Sequence, residues 1–310
     1  MSINHLPSRP EHAPSIEGRP SAAAVRIDPA IWSGGPDRDW SRSLWRRLDE
    51  RLLQWSANWQ AKVTTPKNIP PVAMATFKNQ SDAAIFEAFA LAAISGNARW
   101  DRISAVQSQL AEPFQDFSPH RFAELSDQYI DERIVPWFRQ RRAGSARLPK
   151  VLRLLRGSAD LLRSRKDGDA RTFLMAAGAQ AEGSPEEMAV LLGTDTRFKM
   201  PGFGIALAAE ALRLLGCDLC KPDRHVLRAI AAWQVVTFKN WPAGEFAAPQ
   251  ARTPELLATM LAVRQLALAN GVSTSYATSV IWLAGAVSGA RMTNHGLDSL
   301  RPSPACPSSS

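Results

Sequence analysis

The stretch Lys199-Met200-Pro201-Gly202-Phe203-Gly204-Ile205-Ala206-Leu207-Ala208-Ala209, followed by Lys221-Pro222-Asp223-Arg224-His225-Val226, decides how the rest of the chain is read. Two glycines around Phe203 suit a tight turn and a close backbone approach. The apolar run after Gly204 reads as a helix from Ile205 to about Leu215, stopped by Gly216. Its first N–H groups have no partner within the helix and point back at the turn, an arrangement that attracts anions, phosphate above all. Pro222-Asp223 then opens a further helix, Arg224 to about Val236, so a phosphate cradle precedes a single placed acid by one helix.

Hairpin, Ala-rich helix and Asp223-Arg224-His225-Val226-Leu227-Arg228 stand in one order, with Asp223 19 residues after Gly204. This resembles the helix-hairpin-helix DNA glycosylase superfamily, whose members carry a Leu-Pro-Gly-Val-Gly-type hairpin and then a (Val/Ile)-Asp-x-His-Val-x-Arg stretch. The motif match covers residues 184–228, and a looser likeness runs from about Thr76 to Gly285. The resemblance implies an all-α, two-lobed fold and hydrolysis of the N-glycosidic bond of a flipped, damaged or modified base in double-stranded DNA, leaving an abasic site. Asp223 takes the catalytic position. Lys199, Arg197, Pro201, Gly202, Phe203 and Gly204 take the hairpin positions that meet DNA. Bifunctional members place a Lys two residues after the second hairpin glycine; here that position is Ala206, so a monofunctional enzyme without cofactor is implied.

One carboxylate suffices for such chemistry. The transition state is oxocarbenium-like, so a nearby carboxylate stabilises the developing positive sugar and orients the attacking water, while the rest of the site holds the flipped base. An Asp after Pro is also an ordinary helix N-cap, and the two roles are compatible. His225 reads either as an aid at the sugar-phosphate or as a surface histidine of the first helical turn. Asn97, in the turn Ser95-Gly96-Asn97, sits where family members reach into DNA with an amide, although their Gln-Gln pattern is missing. Cys217-x-x-Cys220 with His225 lacks a fourth zinc ligand, and no metal is expected.

Composition fits a DNA-binding globule. The chain has 310 residues, 45% hydrophobic, with a net charge of +8. That length supports a substantial core, and a basic balance favours polyanions. Three cysteines make no secreted disulfide framework, and no signal-like or membrane-spanning apolar run appears. A monomer in the cytoplasm, associated with the nucleoid and with no membrane partner, is expected.

Residues 1–30 and 292–310 read as disordered tails around a helical domain at 31–291, with the helix-hairpin-helix at about 185–215. Trp40, Leu44, Trp45, Leu48, Leu52, Trp55 and Trp59 recur at helical spacing, which predicts one helix over about 38–62 with a core face. Ser81 or Asp82 caps a helix to Ile94, another runs from Trp100 to about Leu110, and residues 120–142 form one helix or a pair broken at Pro136. From Arg139 to Arg171 the chain carries eleven basic residues, opposed locally only by Asp160, Asp167 and Asp169. That segment is a solvated face or a track along DNA phosphates. Ser184-Pro185-Glu186-Glu187 starts the first helix of the hairpin pair, Thr253-Pro254-Glu255 starts a helix through Ala269, and Ser273 starts one through Leu283. Two other readings stay open: an enzyme that excises hypermodified bases from phage DNA in defence, and a non-catalytic helix-hairpin-helix DNA-binding protein.

Overall fold

The computed structural model describes residues 25–68, 77, 79–96, 98, 100–163, 169–287 and 289–303. All regular structure among them is helical. In chain order the α-helices are α1 (Arg38–Trp55), α2 (Asp82–Ser95), α3 (Trp100–Ser104), α4 (Pro119–Ala123), α5 (Asp127–Tyr129), α6 (Val135–Gln140), α7 (Leu148–Arg163), α8 (Ala170–Gln180), α9 (Pro185–Thr194), α10 (Ile205–Leu214), α11 (Arg224–Ala232), α12 (Thr253–Ala269), α13 (Thr274–Ala286) and α14 (Asn294–Asp298). No single helix among the described residues is long and apolar enough to cross a membrane.

Helix α2 is apolar all round and buried from Ala88 to Ile94, as expected of a helix inside a core. It packs on α7, α8 and α10. A second group forms around α12, which touches α1, α11 and α13, with α14 against α11. The α9–α10 pair joins the two groups: α10 lies on α2, and α9 lies on α8 and α12.

Local chemistry sets most boundaries. Side chains of Ser81, Asp169, Ser184, Asp223, Ser273 and Thr293 each accept a first-turn amide and start α2, α8, α9, α11, α13 and α14. Gly216 ends α10 at φ +96°. There the Cys217 amide bonds Leu212 O at 3.0 Å and the Gly216 amide bonds Arg213 O at 2.9 Å, the paired closure that favours glycine.

Five expectations shift, the first being that the helix expected from Arg224 to about Val236 ends at Ala232. The tryptophan helix stops at Trp55, and Trp59–Lys62 forms a separate 3-10 turn, although Trp59 is still buried. The helix expected to reach Leu110 ends at Ser104. The break in 120–142 falls between Ala123 and Asp127, where Ser126 caps a new start, while Pro136 is absorbed in the first turn of α6. The C-terminal tail does not begin at 292: Met292 and Leu297 are buried and α14 is regular, because Arg228 and Trp233 bond the carbonyls of Met292 and Leu297.

The α9–α10 crossing is set by Gly193. A Cβ there would stand 2.6 Å from Ile205 N and 2.9 Å from its Cα, backbone that no side-chain rotation can move. Gly193→Ala should therefore destabilise the fold by about 1–3 kcal/mol, the usual range for overpacking, read as a lower urea midpoint at unchanged slope; an unchanged midpoint would show that the two helices spread freely.

Candidate nucleic-acid interface

The hairpin is a Pro-Gly turn. Phe203 N bonds Met200 O at 3.0 Å across Pro201 and Gly202, and Gly202 has φ +81°. Pro at the first central position and a left-handed Gly at the second make this a type II turn. Gly202 is required twice over, since a Cβ would also lie 2.8 Å from Leu154 Cβ on α7. The turn is fastened at three points: Met200 N bonds Leu192 O at 2.9 Å, the buried Ser158 hydroxyl donates to Pro201 O at 2.9 Å, and Phe203 packs edge-on to Phe89 at 5.3 Å between centroids. Among the described residues the amides of Gly202, Gly204, Ile205 and Ala206 have no hydrogen-bond acceptor. Ile205 N is pressed on Gly193. Gly202 and Gly204 are exposed and Ala206 is half-buried, so the outward amides belong to these residues. This is the anion-attracting geometry of a helix start.

Lys199 is exposed beside the turn. Arg197 is committed elsewhere: its Nη2 donates to Gln180 Oε1 at 2.8 Å and its guanidinium lies 4.9 Å over Phe198. Asn97 lies outside the described residues. The basic segment is more compensated than its own sequence indicates. Arg153 pairs with Asp127 and Asp131, Arg156 with Asp127, and Arg163 with Glu124 and Asp160, at 2.5–3.3 Å. Arg147 and Lys150 stay exposed and have no carboxylate within 4.0 Å among the described residues. Lys150 is four residues before Leu154, hence one turn along the α7 stripe that touches Gly202.

Between α10 and α11 the chain turns back along α10. The Asp218 carboxylate accepts the Thr274 and Ser275 amides at 3.0 and 2.8 Å, and Lys221 Nζ reaches Glu210 Oε2 at 3.7 Å. Glu210 is in the second turn of α10, so the return covers part of the way to the hairpin. Asp223 then caps α11: its Oδ1 accepts from His225 N at 2.9 Å and Val226 N at 3.2 Å. Its Oδ2 has no partner among the described residues, and the residue is half-buried. Two cavities, of about 30 and 490 Å³, occur at the hairpin–α7 contact and at the α2–α4 starts; Asp223 lines neither. Neither of these two cavities is lined by both hairpin and acid, and the buried Leu219, Cys220 and Pro222 occupy the return along α10.

His225 is not a surface ring, and its buried Nδ1 has no hydrogen-bond partner among the described residues. The residue is buried, lies against Gly285, and meets the half-exposed Trp282 edge-on at 6.2 Å. Arg224 Nε donates to His225 Nε2 at 3.1 Å, so the network assigns the ring proton to Nδ1. Arg228 is buried too, donating to Asn294 Oδ1, Gly285 O and Met292 O at 2.8, 3.2 and 2.6 Å. Neither its structural duty nor the proximity of Trp282 was read from sequence; the partners of Arg228 lie about 60 residues away and carry no local signature. Cys217 and Cys220 are buried thiols pushed up to about 12, chiefly by burial. Among the described residues no three His, Cys, Asp or Glu side chains gather as a metal site.

No family model, curated protein or solved structure matches this chain.

Burial, only partly opposed by the Asp223 charge, holds His225 below its ordinary pKa of 6.5. The unfolded chain therefore takes this proton first as pH falls, and stability drains away below about pH 6.5. Urea titrations at pH 8, 7, 6 and 5 should show the wild type losing more stability on acidification than His225→Gln. Parallel pH profiles would mean that the ring charges as easily folded as unfolded.

Proposed function

We propose that this protein is a monofunctional DNA N-glycosylase, hydrolysing the bond between deoxyribose and a modified base turned out of the duplex. The observation that carries the reading is the Asp223 carboxylate, with one oxygen spent on the α11 cap and the other without a partner among the described residues. The cap fixes the direction of the free oxygen. An acid so held faces an incoming sugar without first having to be ordered. As positive charge develops on the sugar ring, Oδ2 stabilises it, and the same oxygen orients or deprotonates the attacking water. The water adds to the sugar carbon as the bond to the base breaks, the electron pair leaving with the base. The product is an intact but abasic strand. With Ala206 at the position of the lyase lysine there is no amine for a Schiff base.

The hairpin supplies the grip on the backbone. Its outward amides, Lys199, and the Lys150–Arg147 end of α7 offer donors and charge on one side of the molecule. Damaged bases and the hypermodified bases of phage DNA are the two substrate classes for such an enzyme, and a panel of oligonucleotides carrying each separates repair from defence. A non-catalytic helix-hairpin-helix DNA-binding role is the second reading. Excision lost entirely while tight binding persists, with Asp223 immaterial, would favour it.

Two measurements test these readings. On the substrate found by the panel, Asp223→Asn should lower excision by about 10²–10⁴-fold, the usual contribution of a placed base, while leaving DNA affinity unchanged. Strand breaks should appear only after alkali or heat, and borohydride should trap no adduct. Full activity in Asp223→Asn removes the acid from the mechanism, and efficient trapping removes the monofunctional assignment. In binding assays, Lys199→Gln should reduce the slope of log affinity against log salt by about 0.9, one phosphate contact. Gly202→Asp should weaken binding to all sequences alike, and indifference to both changes would sink the hairpin assignment.

A further inference from the structure

A second cationic surface lies next to Asp223, and the hairpin has no part in it. The guanidinium carbons of Arg228 and Arg291 sit 5.1 and 3.9 Å from the centroid of Phe246. Arg224, the first residue of α11, stands beside them: burial first, then the charges of Arg291 and Arg224, hold the Arg228 guanidinium below its ordinary pKa. None of the three arginines has a carboxylate within 4.0 Å among the described residues. Arg228 is spent inside the fold on three oxygens, but Arg224 and Arg291 are exposed and Phe246 is 40% exposed. Phe246 sits on a fastened loop. Asn294 Nδ2 donates to Gly244 O and Ala247 O at 2.9 and 3.0 Å, and Asn294 N donates to Glu245 O at 2.7 Å. The loop that carries the ring is therefore held in place before any partner arrives.

We propose that Phe246, Arg291 and Arg224 form a second DNA-contact surface, which grips the strand flanking the nucleotide presented to Asp223. The inference rests on the DNA-directed reading above and names the residues that would hold the strand on either side of the turned-out base. Three arginines gathered with no carboxylate within 4.0 Å among the described residues call for a polyanion. An exposed aromatic ring beside guanidinium groups suits an unstacked base beside its phosphates better than it suits an acidic peptide, because both planar groups stack on bases and arginine also forks onto phosphate. Asp223 and Arg224 are neighbours at the start of α11, which places this surface on the strand whose base the acid would meet. An anionic peptide or membrane would have no reason to sit at that acid.

The test is fluorescence anisotropy with a fully paired duplex and with the same duplex carrying one abasic analogue, across a salt series. Arg291→Gln should reduce the salt slope by about 0.9, and Arg291→Lys should restore the slope while leaving affinity lower. Phe246→Leu should weaken binding to the abasic duplex by about tenfold, from the stacking of one base, and affect the paired duplex less. Thermal melts identify any variant that fails to fold; in that case Arg224→Gln gives the slope measurement in place of Arg291→Gln. If Gly202→Asp weakens binding while the Arg291 and Phe246 variants bind as wild type does, this surface is wrong and the hairpin reading stands. If none of them alters binding, the DNA reading itself falls. Equal weakening of polyglutamate and DNA binding by Phe246→Leu would overturn the assignment to nucleic acid.

Discussion

The structure depends on a backbone-to-backbone contact at Gly193. Because a Cβ has no room there, α9 and α10 approach more closely than side chains allow, and the ten residues between them, 195–204, must reverse within a short span. The reversal is made by Pro201-Gly202, tied back by Met200 N to Leu192 O. Pro201 then presents its carbonyl to a buried serine on α7, and Gly202 lies on Leu154. Each contact removes a freedom the hairpin would otherwise have. A loop free to move would lose the alignment of its amides, and with it most of their attraction for an anion, since the attraction falls off within the first turn. The close crossing of two helices and the outward row of amides have one cause.

A second constraint governs the acid. Helix α11 has only nine residues, below the length at which an isolated helix is stable in water. Its position comes from Arg228, a buried cation satisfied by two carbonyls and one amide oxygen and by no carboxylate. Burying a charge is costly unless its hydrogen bonds are met, so the segments that supply them, around Gly285 and Met292–Asn294, are fixed in turn. Gly285 is also where His225 packs, with His225 Cβ 2.9 Å from the place a Gly285 Cβ would take. The direction of Asp223 Oδ2 therefore traces to residues 60 to 70 positions downstream in sequence.

That dependence explains what was legible beforehand. The Pro-Gly turn, the Ser184-Pro185 and Ser273 starts and the Gly216 stop were readable, because each is a matter of a few adjacent residues and their φ/ψ. Asp223 as a cap was readable for the same reason. The burial of His225 and the role of Arg228 were not, since both depend on α13 and α14 arriving from far along the chain. The basic segment misled for a related reason: within residues 139–171 few acids stand near the arginines, yet Asp127, Asp131 and Glu124 on the preceding turns come to rest against Arg153, Arg156 and Arg163. Charge counted along the chain is not charge summed in space. The tail was misjudged because Ser, Pro and Asn near 293–303 look like disorder until Leu297 is seen beneath Trp233.

The compensation of α7 changes where the field of this protein originates. Exposed ion pairs add little to stability, but they cancel charge at a distance. With the middle of α7 neutralised, exposed cations with no carboxylate within 4.0 Å among the described residues include Lys199, Lys150 and Arg147 around the hairpin, Arg224 and Arg291 around the start of α11 and, away from both, Arg38, Arg42, Arg46 and Arg51 on α1. In a DNA-binding role, two separated patches impose a register that a continuous basic track would not. A backbone held at both places can slide along neither, and the nucleotide that comes to Asp223 is then fixed by the spacing between them. On that view the ion pairs of α7 matter for what they remove. They take the middle of α7 out of the surface that attracts anions and leave Lys150, Arg147 and Lys199 to carry that attraction at the hairpin.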